Sequence, residues 1–76
     1  MKYQLTEYQK QQLESQFTYH APKEDQPQRY TAIREIAKKL ATVILEETPE
    51  SEEQAQALKL LRLAVMSANQ AIALNE

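Results

Sequence analysis

Arg34 and Lys38 are spaced four residues apart, so on a helix the two cations share one face. A guanidinium can grip a phosphate through two parallel hydrogen bonds, and an ammonium adds a point charge. Ahead of them stands the pair Tyr19-His20, and an aromatic ring such as Tyr19 can stack on a nucleobase. Tyr19 and Arg34 thus offer the two contacts that a nucleotide needs. The same residues also suit a plainer arrangement, in which Arg34 and Lys38 are the wet face of an amphipathic helix and Tyr19 plugs the edge of a hairpin.

Other chemistries find little support. The chain has no cysteine, which removes thiolate metal sites, disulfides and a cysteine nucleophile, and its single histidine, His20, cannot build a metal cage. It has no glycine, so phosphate-cradling loops and nucleophile elbows are out of reach. Without a recognisable catalytic constellation the expectation is a binding protein, not an enzyme, with no cofactor and no metal. The carboxylates Glu46, Glu47, Glu50, Glu52 and Glu53 gather about Pro49, where solvated helix ends are expected. A net charge of -2 argues against a general nucleic-acid binder. No uninterrupted apolar run reaches the roughly 20 residues that span a bilayer. The opening MKYQLTEYQK lacks the apolar stretch of a secretory signal, so the expected location is the cytoplasm.

The elements that must position these residues are helices throughout. Thr6 and Gln9 form a capping-box pattern ahead of a thin stripe of Tyr8, Leu13 and Phe17, which predicts a short helix within residues 1–18. Residues 19–27 hold two prolines among polar residues and read as an extended connector. A long helix follows over 28–47, with Tyr30, Ile33, Ala37, Leu40 and Ile44 on one face. Pro49 ends it, Ser51 and Gln54 propose a second capping box, and 52–75 forms a third helix with the seam Leu58, Leu61, Val65, Ala68 and Ile72. A short connection makes the two long helices an antiparallel hairpin, which brings Tyr30 and Arg34 near the levels of Asn69 and Val65.

One domain of 76 residues lies close to the lower size limit for a self-sufficient core. The last helix is also apolar off its seam, at Leu60, Leu63, Ala64, Met66, Ala71, Ala73 and Leu74. A helix apolar nearly all round must be buried nearly all round, which one partner helix cannot do. The expectation is an all-α hairpin with a short N-terminal helix, assembled into a closed homo-oligomer. A helical interaction module that binds another protein through this face is the competing reading. A small nucleic-acid-binding protein using Arg34, Lys38 and Lys39 is a third.

Three stretches carry a resemblance: FTYHAPKEDQPQRYTAIREIAKKLA from Phe17 to Ala41, the turn ETPESEEQA, and LAVMSANQAIALNE from Leu63 to Glu76. They resemble the phage helical-hairpin domain of the anti-CBASS and Thoeris anti-defence sponges. The resemblance implies a homo-oligomer, commonly a hexamer, that sequesters cyclic nucleotide second messengers of bacterial immunity without degrading them, in the cytoplasm of the infected host. Cyclic dinucleotides, cyclic trinucleotides and cyclic ADP-ribose derivatives are the ligands it implies, held between subunits. It further implies that Tyr19 stacks on a base and Arg34 grips a phosphate, with His20 and Lys38 beside them. Asn69 matches the family pattern, and it could equally set register within the oligomer as buried Asn does in coiled coils. Two departures stand out: Ser67 where many relatives have Trp, and Leu74 where many have Arg.

Overall fold

Helix starts are written locally. In the computed structural model, which describes residues 2–76, Thr6 caps α1 (Glu7–Phe17). Its Oγ1 accepts from the Gln9 backbone N–H at 3.0 Å while the Gln9 side chain accepts from the Thr6 N–H at 3.0 Å, a complete capping box. Met1, included in the expected N-terminal helix, lies outside the described residues.

Helix α2 runs over Gln26–Glu47, two residues earlier than expected. The cause is a turn in which the Gln26 N–H donates to Lys23 O at 2.8 Å and the Lys23 N–H donates to Gln26 Oε1 at 3.0 Å. Gln26 is thereby buried, and it starts the helix in place of a side-chain cap from Asp25. In this chain without glycine the turn falls on Glu24, at φ 47. A left-handed residue with a Cβ is disfavoured by about 1–2 kcal/mol, and glycine offsets that against a larger entropy loss on folding. Glu24→Gly is therefore expected to raise stability by up to about 1 kcal/mol, read as a higher thermal midpoint. A lower midpoint would contradict the account of this turn.

Helix α3 covers Glu52–Asn75, as its periodicity predicts, with Ser51 Oγ accepting from the Gln54 N–H at 3.1 Å. The second capping box is only half formed. Gln54 Nε2 donates instead to Thr48 O at 3.0 Å and to Thr48 Oγ1 at 3.1 Å, because the amide carries donors and the end of α2 presents two acceptors. That bond ties the first turn of α3 to the last of α2 across Pro49.

The two long helices pack side by side, and all five predicted seam residues of α3 are half-buried. On α2 the stripe passes through Ala41, not Leu40, which is 48 % exposed. Ala37 and Ala41 are half-buried and take the seam positions of α2, while Leu40 turns outward.

No apolar residue of the described chain is fully buried. The radius of gyration is 17.1 Å against about 11 Å for a compact chain of this length. The molecule measures 49 × 40 × 13 Å, a single layer one helix thick. Its accessible surface of 6779 Å² exceeds that of a compact monomer of 8.8 kDa by about 2,000 Å², more than twice the roughly 800 Å² that one partner contributes to a standard interface. Helix α1 contributes to this, since Tyr8, Leu13 and Phe17 are all exposed. On length and composition alone α3 could also cross a membrane, its best 18-residue stretch having a mean hydropathy of 1.2. Lys59 and Arg62 lie inside this helix, however, and each costs about 2.5–3.5 kcal/mol at the centre of a bilayer.

Candidate functional site

The two arginines of α2 are treated differently. Arg29 is committed to structure: its guanidinium donates to the carboxylate of Glu76 from two nitrogens, one of them Nη1 to Oε2 at 3.0 Å. Its Nε lies 3.4 Å from Asp25 Oδ1, an ion-pair distance without hydrogen-bond geometry, so this buried N–H has no hydrogen-bond partner. Lys23 Nζ adds a bond to Glu76 O at 3.4 Å. Together these contacts close the open end of the hairpin by holding the end of α3 to the start of α2.

The Arg29 guanidinium, first through its hydrogen bonds, holds the Glu76 carboxyl below its ordinary 4.5, and Glu76 in turn raises Arg29. A carboxyl lowered in the folded state stabilises that state above its unfolded pKa, and the contribution disappears as pH falls through the lower folded value. Glu76→Gln is thus expected to melt below wild type near neutral pH, with the gap closing as pH falls below 4.5. Thermal melts across that range check this, and a gap independent of pH would contradict it.

Arg34 has no such commitment. Among the described residues its side chain makes one hydrogen bond, from Nη2 to Thr31 Oγ1 at 3.4 Å, and no ion pair. It borders two hollows between α2 and α3. One is a recess of about 370 Å³ shared with Tyr30, Asn69 and Gln70. There the Asn69 Oδ1 is shielded from solvent and accepts no hydrogen bond, a cost in free energy unless a donor arrives. The other is a groove of about 780 Å³ that also holds Lys38 and Val65. The levels expected from the hairpin are therefore met: Tyr30 with Asn69, and Arg34 with Val65.

Tyr19 and His20 occupy a different place. With Lys23 and Gln26 they border a recess of about 570 Å³ against Ala73 and Leu74 at the end of α3. His20 Nε2–H donates to Ser15 O at 2.8 Å, satisfying a carbonyl in the last turn of α1 and fixing the ring. Nδ1 is then the acceptor of the neutral ring. Tyr19, beside it, is 84 % exposed. The recess of Tyr19 and that of Arg34 share Ala73, but Tyr19 lies outside both of the hollows described for Arg34. Leu74 lines the Tyr19 recess and gives it an apolar side chain at that position.

Two features escaped the sequence. The Arg29–Glu76 clamp joins residues far apart in the chain, and only the register of the hairpin could have found it. Arg62 borders the same groove as Arg34 and Lys38 from the opposite helix, a placement that the register also implies. Among the described residues no group of three or more His, Asp or Glu side chains converges as a metal site requires.

No curated protein and no solved structure matches the chain. A family model described as Acb2/Tad1, hairpin domain, matches residues 9–73, from the first turn of α1 to the last turns of α3. The chain belongs to that family, the anti-CBASS and anti-Thoeris sponges.

Proposed function

We propose that this protein is a phage anti-defence sponge, which binds cyclic nucleotide second messengers of bacterial immunity and holds them without chemical change. It acts in the cytoplasm of the infected host, where sequestration keeps CBASS or Thoeris effectors from being triggered. The carrying observation is the contrast within α2, in a chain whose acids outnumber its bases. Arg29 is ion-paired with two carboxylates, Asp25 and Glu76, whereas Arg34 borders two hollows whose linings hold none. A guanidinium left unpaired in a hollow is suited to a phosphate.

In this reading Tyr19 stacks on a base, Arg34 grips a phosphate, and His20, Lys38 and Asn69 complete the surroundings. Tyr19 and Arg34 border separate hollows of one chain, which favours a pocket assembled between subunits, Tyr19 from one and Arg34 from another. The bare apolar faces of the hairpin supply the drive for that assembly, with six subunits as the family resemblance implies. Equilibrium dialysis of cyclic di- and trinucleotides against the protein, followed by heat release and mass spectrometry, tests the reading. Retention of ligand that is recovered unaltered supports a sponge. Recovery of altered nucleotide would point to an enzyme.

A further inference from the structure

The single layer of α2 and α3 has two unlike faces. On one, Ile33, Ile36, Leu40, Ala64 and Ala68 border a hollow of about 310 Å³ that has no charged residue in its lining. On the other lies the groove of about 780 Å³, floored by Ala37, Ala41, Leu58 and Val65 and bordered by Arg34, Lys38 and Arg62. No carboxylate borders this groove, and none of its three cations is ion-paired among the described residues. Acids outnumber bases in the chain, so the lack of an acid here is a matter of placement, not of supply.

The first face asks only for apolar cover. The second asks for a body with apolar surface and anionic edges, and its volume falls within the roughly 300–1,000 Å³ usual for small-ligand sites. Arg34 and Lys38 stand on the α2 wall and Arg62 on the α3 wall, so an occupant meets positive charge from both sides. We infer that Arg62 is a further ligand contact, which takes a second phosphate of a nucleotide whose first phosphate is gripped by Arg34. This rests on the sponge reading and adds to it: the groove selects ligands that carry two phosphates across an apolar body. Arg62 is exposed and, among the described residues, holds no other in place by a side-chain hydrogen bond or ion pair, so its role is separable from folding.

The test is calorimetric titration of the full chain, wild type and the variants Arg62→Gln and Arg62→Lys, with a cyclic dinucleotide at two salt concentrations. Arg62→Gln is expected to weaken binding by at least about tenfold and to flatten its salt dependence, while Arg62→Lys recovers part of the loss and unliganded melting stays as in wild type. Wild-type affinity and salt dependence in Arg62→Gln would overturn the inference. If the wild type binds no cyclic nucleotide, the sponge reading fails on its own, and an aromatic ring carrying a phosphate at each end becomes the probe. Binding of that bisphosphate that is lost in Arg62→Gln keeps the two-walled anion site, and no binding overturns it.

Discussion

Arg34→Ala and Tyr19→Ala are each expected to weaken binding of the cyclic nucleotide by roughly 10- to 100-fold, and the double variant to abolish measurable binding. A charge-assisted bond between guanidinium and phosphate contributes about 1.5–3 kcal/mol, and stacking of one base on an aromatic ring about 1–3 kcal/mol. Neither substitution disturbs the hairpin. Among the described residues the Arg34 side chain hydrogen-bonds only to Thr31 Oγ1 and makes no ion pair, and Tyr19 is exposed. Arg29→Ala provides the contrast, because it removes the clamp on Glu76 and so lowers thermal stability before it affects ligand. Isothermal calorimetry beside thermal melts separates the two kinds of arginine. Equal losses of binding from Arg29→Ala at unchanged stability would contradict the division of labour within α2.

Ile36→Asp is expected to dissociate the protein into monomers with reduced helix content. Ile36 is 67 % exposed on the isolated hairpin, where an aspartate would cost little. In an assembly that covers the apolar face, the same carboxylate would be buried without a partner, at several kcal/mol per site and repeated in every copy. Because no apolar side chain of the lone hairpin is fully buried, a monomer has little to keep its helices together. Sedimentation and circular dichroism check this. An unchanged mass and spectrum would show that the face around Ile36 is free in solution.

What the sequence disclosed depended on range. The box at Thr6 and Gln9, the cap at Ser51, the stop at Pro49 and the seam of α3 each rest on residues within a few positions of one another, and each is found where it was expected. Choices between near-equivalent partners were not legible. Gln54 chose two acceptors on Thr48 over the N–H of Ser51, and the seam chose Ala41 over Leu40, since closeness of approach is a property of both helices at once. The left-handed turn at Glu24 carries no glycine to mark it. Contacts across the open end of the hairpin, such as Arg29 with Glu76, depend on the register of two helices to within one residue. Of the five expected site residues, Arg34 comes together with Lys38 in one hollow and with Asn69 in another, while Tyr19 keeps company with His20 alone. That division is understandable if a single chain holds only half of each pocket.

The central claim is that the hairpin binds cyclic nucleotides, and it is met most directly by calorimetric titration of the purified wild-type protein with a panel of cyclic dinucleotides, cyclic trinucleotides and cyclic ADP-ribose isomers. Tight, saturable heat with at least one member is the expected result. No heat with any member, from a protein shown to be helical and oligomeric, would contradict it and leave an interaction module as the better reading of the same hairpin.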